Sequence, residues 1–240
     1  MTNKLILFSG AGISAESDVP TFRGPDGLWE GHDIDVVCNY RTWKKNFEAV
    51  HSFYNGLRVR LESVSPNAAH EMFVDWQKRY GATLITQNVD DLFERAGAKQ
   101  CTHLHGRLTS MKCEACGEVW DVGYTTFDPT EGRCPAMKCG SRKGVKPHVV
   151  FFNENAPEYE GLYRLFKNLT AKDTIVVLGT SSKVVDITGF IKDLPGFKIY
   201  SNLDTGNDDR ISHVYDEHVF APATEAVHEI DALLRSHFEG

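Results

Sequence analysis

The chain has 240 residues, 41% hydrophobic and 25% charged, with a net charge of 26 − 33 = −7 when histidine is neutral. A chain this long folds without disulfides, and such ordinary usage excludes collagen, coiled coil or disorder as its main character. The acidic balance argues against the broad basic face that nucleic acid needs, and no apolar run approaches the ~20 residues of a membrane span, so neither partner is expected.

The first apolar run, residues 4–9, is too short for a signal-peptide core of roughly 7–15 residues. It reads as the first buried strand of a cytoplasmic protein. Gly10-Ala11-Gly12-Ile13-Ser14-Ala15 follows at once. It fits the G-x-G-x-x-G/A dinucleotide pattern, whose glycines allow a tight turn and close backbone approach to a pyrophosphate, with a helix N-terminus behind it. The acidic residue that normally follows ~20 positions later, at the end of a second strand, is missing. A loop over residues 18–29 stands there instead, and its Phe22, Arg23 and Trp29 suit a cover over a bound phosphate.

Residues 47–64 place Phe47, Val50, Tyr54, Leu57 and Leu61 at helical spacing. Pro66-Asn67 opens a second helix that runs to Arg79, and Gly81 closes it. Further short apolar runs at 83–86, 102–105, 174–179, 198–202 and 218–221 read as buried strands. Helices are predicted over 91–96, 157–169, 184–194 and 224–237. Strands alternating with helices imply an α/β fold with an open parallel sheet.

Candidate site residues gather at the predicted strand ends, where open α/β sheets bind ligands. Gln87, Asn88, Val89 and Asp90 follow one strand; Gln87 and Asn88 suit ribose hydroxyls and Asp90 a carboxamide, although an Asn or Asp there also serves as a helix cap. His103 and His105 fall on one face of the next strand by alternation, and a histidine at such a place is a candidate general base. Gly179-Thr180-Ser181 and Asn202-Leu203-Asp204 end two later strands.

Residues 111–145 break the rhythm. Cys113-x-x-Cys116 and, 17 residues on, Cys134-x4-Cys139 supply two thiolate pairs, enough to close a tetrahedral shell around one structural Zn²⁺. Clustering of this kind is metal spacing rather than a disulfide framework. The β-prone run that follows, Val149, Val150, Phe151, Phe152, Asn153 and Glu154 behind Lys146-Pro147-His148, suits either a core strand or an edge to which an extended peptide adds.

Together these motifs resemble the sirtuins, NAD-dependent protein-lysine deacylases, and most of all their compact bacterial, class III-like members. The likeness runs in order through Gly10–Ser14, Thr21-Phe22-Arg23, Thr86 to Asp90, His105-Gly106, the four cysteines, Pro147 to Glu154 and Gly179-Thr180-Ser181. It implies a single catalytic domain over 1–240, Rossmann-like, with a small inserted zinc-binding module at 111–145. It implies that the Gly10–Ser14 loop (Gly10, Ala11, Gly12, Ile13 and Ser14) and Arg23 hold the pyrophosphate region of NAD, and that Phe22 shields the reacting centre. Gln87, Asn88 and Val89 would lie at the nicotinamide ribose, Asp90 with Ile13 at the nicotinamide amide, and Gly179, Thr180, Ser181, Asn202, Leu203, Asp204 and Ala223 along the phosphates and adenosine. His105 would be the general base, assisted by Asn88. Val149 to Glu154 would meet an acyl-lysine peptide, and the products would be nicotinamide, lysine and an O-acyl-ADP-ribose. A monomer is favoured, the oligomeric state being otherwise open.

One departure bears on specificity. Relatives that remove succinyl or malonyl groups carry Tyr-x-x-Arg over the acyl pocket, where the arginine forks the acyl carboxylate. Here Tyr54 is followed by Leu57, with Arg58 one residue later and Cys38 in place of the usual alanine. The expected substrate-side pair is therefore Tyr54 and Arg58, and acetyl the expected acyl group, succinyl and malonyl remaining alternatives. Protein ADP-ribosylation or NAD hydrolysis, and a non-catalytic binding module, are the rival functions.

Overall fold

Val, Ile and Leu runs too short to be helices make the strands here, and the two longest amphipathic stretches make the longest helices. The computed structural model describes residues 3–21, 32–182, 185–205 and 208–239. In chain order they form β1 (Leu5–Ser9), α1 (Ile34–Val37), α2 (Phe47–Ser63), α3 (Ala68–Tyr80), β2 (Thr83–Thr86), α4 (Leu92–Arg95), β3 (Thr102–His103), β4 (Gly106–Cys113), β5 (Val119–Asp121), β6 (Val145–Val149), α5 (Glu158–Lys167), β7 (Thr174–Leu178), α6 (Ile187–Ile191), β8 (Phe197–Asn202), α7 (Ile211–Val214), β9 (Glu217–Phe220) and α8 (Ala223–Glu239).

Six strands make one sheet in the order β3-β2-β1-β7-β8-β9, with all pairs parallel. Both faces are covered, which is why its strands read as continuous apolar runs. Alternate residues of β1 serve opposite cores: Leu5 and Leu7 pack with Phe73 and Trp76 of α3 and Ile230 of α8, whereas Ile6 and Phe8 pack with Phe166 of α5 and Ile187 of α6. α3 begins and ends as its sequence indicates. The Asn67 side chain accepts from the backbone N–H groups of Ala69 and His70, and Gly81 leaves the helix at φ +66°.

Three antiparallel strands, β5-β4-β6, form a second sheet. Its core does not close within residues 111–145. Met111, Phe127 and Val145 bury themselves against Val37, Trp43, Phe47 and Val50 of the α1–α2 segment. The cysteine-bearing insert thus borrows its apolar partner from residues 37–61, far upstream.

Three expectations change in detail. The predicted strand over 102–105 stops at His103, and the chain pairs again from Gly106 as β4. β4 itself was not legible, because a register irregularity between Gly106 and Met111 scrambles the alternation of its buried residues. The glycine loop after β1 leads into two short 3₁₀ turns, Ala11–Ile13 and Ala15–Ser17, instead of an α-helix N-terminus.

Candidate active site

Taken in chain order, the large sheet's six strands run 3-2-1-4-5-6 across it, so the order reverses between β1 and β7. Ligands of such sheets bind beyond the carboxyl ends of the strands at that reversal. The two loops leaving it press together. Gly10 N–H donates to the Leu178 carbonyl at 3.0 Å and Gly12 N–H to the Gly179 carbonyl at 2.8 Å. A Cβ on Gly12 would lie 2.7 Å from Gly179 Cα, and Gly179 itself stands at φ +70°. The glycines are therefore needed for loop-on-loop contact, in addition to any approach to a ligand.

A cavity of about 670 Å³ opens from this point toward the small sheet, within the ~300–1,000 Å³ typical of ligand sites. Ala11, Gly12, Gly179, Thr180 and Ser181 line its first end, with Asn202, Leu203 and Ala223 beside them. Gln87, Asn88, Val89, Asp90 and His105 line the middle; Tyr54 and the run Val149 to Glu154 line the far wall. Four predicted residues are not in the lining. Gly10 and Ile13 support the loop from behind, with Ile13 fully buried, and Asp204 is exposed. Arg58 is the fourth. Phe22 and Arg23 lie outside the described residues.

The middle of the cavity is organised around Ser14. Its hydroxyl donates to Asp90 Oδ2 at 2.9 Å and accepts from Asn88 Nδ2 at 3.0 Å, with His70 Nε2 at 3.2 Å. His70 is held on its other side by Asn67, with Nδ1 3.3 Å from the Asn67 backbone nitrogen and 3.0 Å from Asn67 Oδ1. Asp90, Asn88 and His70 thus surround the Ser14 hydroxyl, and the bond from Nδ2 fixes the Asn88 side chain. Burial pushes the His70 pKa down to about 4 and raises that of Asp90. Ser14 was expected only as part of the pyrophosphate loop, not as the centre of this network, and His70 was not singled out from the sequence.

His105 is held differently. Its Nδ1 lies 2.8 Å from the Gln87 carbonyl, an acceptor, so Nδ1 carries the proton and Nε2 offers its lone pair. Burial lowers the imidazole pKa, partly opposed by that carbonyl, and the ring is a neutral base at neutral pH. Beside it, Gln87 lines the cavity and its Nε2 is buried without a hydrogen-bond partner, an unmet donor. His103 takes no part in the cavity. It points behind the Asn88 loop, with Nδ1 2.9 Å from the Asn88 carbonyl and Nε2 2.9 Å from Glu94 Oε1. Because β3 ends at His103, strand alternation does not carry through to His105. Glu94, Cys101 and His103 do bring ligand atoms within 4.8 Å of one another, but both His103 nitrogens already face oxygen acceptors and Glu94 also pairs with Arg107 at 3.2 Å.

On the far wall, Tyr54 stacks on Phe151 with ring centroids 5.6 Å apart and is buried in one cluster with Cys38. Leu57 and Leu108 complete an apolar end. The expected placement of Arg58 is overturned. Its side chain is fully buried outside the cavity lining, donating to the Leu108 carbonyl at 2.8 Å and Asn55 Oδ1 at 2.7 Å, against Met111. Burial lowers its pKa to about 10. Arg58 holds α2 to β4; Arg60, an exposed residue, is the one Lys or Arg among the described lining residues.

The four cysteines converge. Cys113 and Cys139 Sγ are 3.7 Å apart, Cys116 and Cys134 Sγ 3.6 Å, and all four lie within 4.8 Å of one another. Four sulfurs at ~2.3 Å from one tetrahedral zinc stand about 3.8 Å apart, so the set fits that metal. Gly117 and Gly140 follow the second cysteine of each pair at φ +81° and +56°, turning the chain back around the site.

The Sir2 family model matches residues 10–186. The chain is 40% identical to the NAD-dependent protein deacylase of Helicobacter hepaticus, over 98% of each protein. A solved ADP-ribose complex of a serine-to-alanine mutant of a Sir2 homologue has a TM-score of 0.85 at 31% identity, covering 98% of this chain and 93% of that one. A Sir2 homologue–NAD complex gives 0.81 at 32% identity, with 98% and 90% covered. The matched region carries the glycine loop, the Ser14 network, His105, the four cysteines and the far wall in one continuous architecture, and the chain belongs to the Sir2 family.

Proposed function

We propose that this protein is an NAD-dependent protein-lysine deacylase whose preferred substrate carries acetyl or another small uncharged acyl group. The observation that carries the reading is the pair at the middle of the cavity: His105 with its Nε2 lone pair free of the ring proton, beside the unpartnered buried donor Gln87 Nε2. NAD, when bound, supplies an electrophilic ribose carbon with nicotinamide as its leaving group. The loops at Gly12 and Gly179–Ser181 would hold its phosphates, with Asn202 and Ala223 at the adenosine. Gln87 and Asn88 would hold the ribose and Asp90 the carboxamide. His105 accepts a ribose hydroxyl proton at Nε2, a transfer that requires the two heavy atoms about 3 Å apart. Val149 to Glu154 would take the peptide.

The acyl preference rests on Leu57 and on the burial of Arg58 away from the cavity. A succinyl or malonyl carboxylate at Tyr54 would meet Leu57 and Leu108 and lose hydration, while Arg60, the one cation among the described lining residues, is exposed and solvated. One Zn²⁺ on Cys113, Cys116, Cys134 and Cys139 would be structural, because four protein ligands leave no open position. Unpaired thiols in metal spacing suit a reducing compartment, in support of a cytoplasmic location.

The test is mass spectrometry of acetyl-, succinyl- and malonyl-lysine forms of one peptide with NAD. Deacetylation well above desuccinylation, abolished in His105→Ala, is the expected result. Nicotinamide release with every acyl group intact would overturn the deacylase reading and favour ADP-ribosyl transfer or NAD hydrolysis.

A further inference from the structure

An imidazole nitrogen without a proton has one lone pair, directed in the ring plane, and accepts one good hydrogen bond. In His105 that lone pair is already engaged. The Tyr159 hydroxyl lies 2.9 Å from Nε2, and since Nδ1 carries the ring proton, the tyrosine is the donor. Tyr159 sits in the first turn of α5 (Glu158–Lys167), with its ring centroid 6.0 Å from that of His105, and lines the same cavity. Burial raises the phenol's pKa further, so it stays a protonated donor and does not act as a second base.

We propose that Tyr159 is a positioning residue: its hydroxyl caps the His105 lone pair in the cofactor-free enzyme and yields that place to a ribose hydroxyl when NAD binds. The proposal rests on His105 being the base. The cap does two things. It holds the imidazole in one tautomer and one orientation, with Nε2 aimed into the cavity. It also charges NAD binding with the loss of one neutral hydrogen bond, because two donors cannot share the single lone pair. The partly buried ring belongs to the core beneath the large sheet, so displacement means a swing of the first turn of α5 or rotation of the side chain, not unfolding of the helix.

The variant is Tyr159→Phe, which keeps the ring and removes the donor. NAD affinity is measured by calorimetry on the full chain, and kcat and KM for NAD with an acetyl-lysine peptide. The expected result is a Kd for NAD lower by about 2- to 10-fold, the worth of one neutral hydrogen bond, with KM falling in parallel and kcat unchanged. Unchanged affinity would mean that the contact is not broken on binding and overturns the cap. Weaker NAD binding would mean that the hydroxyl touches the cofactor instead, and a fall in kcat at constant Kd would give it a part in the proton transfer; each overturns the proposal. Thermal melting of the variant guards against a packing defect, with Tyr159→Leu as the deliberately unpacked comparison. His105→Ala separates the two ideas: full turnover in that variant removes the base, whereas the calorimetry on Tyr159→Phe reads the cap directly, whatever acyl group is removed.

Discussion

Replacing Glu154 by glutamine tests how the far wall of the cavity is held. Lys146 Nζ donates to Glu154 Oε2 at 2.8 Å and Oε1 at 3.1 Å and to the Val149 carbonyl at 2.7 Å. It lies 4.1 Å from the centroid of the Phe151 ring. The two side chains are 1% and 9% exposed, and Glu154 Oε2 also accepts the Phe151 N–H at 2.8 Å. The pair therefore ties β6 to the turn at 151–154. Glu154→Gln conserves shape but leaves a buried ammonium facing a carbonyl, an amide and a ring. Breaking one side of such a pair costs about 3–5 kcal/mol, or roughly 6–20 °C in melting temperature for a chain of this size. Lys146→Met with Glu154→Gln removes the stranded charge and restores most of that loss. pH gives an internal check. Burial already lowers the Lys146 pKa, against the pull of Glu154, and losing the carboxylate lowers it further. The unfolded lysine stays near its usual ~10.4, so the unfolded chain then holds more protons in the alkaline range and the variant regains stability as pH rises. The assay is urea unfolding at pH 7 and 9. Equal stability of wild type, single and double variants at pH 7 would refute the idea that the ammonium is desolvated.

Three further outcomes are expected. His51 and His70 are fully buried, and burial pushes both pKa values to about 4; the unfolded chain binds their protons first, near pH 6.5, so stability is full above that pH and falls toward pH 4. The loss is about 2 kcal/mol per histidine at pH 5; urea midpoints that do not move between pH 7.5 and 5 would contradict neutral burial. Gly12→Ala forces a Cβ to 2.7 Å from Gly179 Cα, and separating the loops should cost about 1–3 kcal/mol and weaken ADP-ribose binding in calorimetry; wild-type values for both would show that the loops part freely. Cys113→Ser should lose bound zinc by elemental analysis and melt earlier, since metal binding is coupled to folding at such sites; a metal-free variant with the wild-type melting curve would refute a structural metal.

The legible part of the molecule was the part governed by short-range rules. β1, β2, β7 and β8 appear where Val, Ile and Leu runs predict them, because strands covered on both faces carry their address in composition alone. The Asn67 cap and Gly81 stop needed only four or five residues of context. β4 and β6 were harder: their apolar partners lie in α1 and α2, some fifty residues upstream or more, and neither strand has a clean alternation. Arg58 failed for the same reason. Helical spacing puts it on the Tyr54 side of α2, yet a guanidinium follows acceptors, and those came from Leu108 and Asn55. The burial of Arg58 depends on a strand that periodicity did not reveal.

The site itself follows from where two cores meet. The large sheet and the α2–β4–β6 unit each bury their own apolar residues, and between them the backbone must find partners. Val150 N–H donates to the His105 carbonyl, Leu108 N–H to the Val89 carbonyl and Gln87 N–H to the Ser9 carbonyl. The first two bonds cross to the Val89 and His105 segments from β4 and the far wall and the third continues the β1–β2 pairing, so the backbone around His105 is fixed by neighbouring segments. Asn153 at φ +64°, bonded through its side chain to Asn39, completes the turn that returns the wall to the small unit. A left-handed asparagine costs about 1 kcal/mol more than glycine would, and here it adds a side-chain hydrogen bond that glycine cannot make. The cavity is thus hydrogen-bonded along its wall and polar at its centre, and the Tyr159 hydroxyl that meets His105 Nε2 comes from a helix end that packs on the core of β1, α5 and α6.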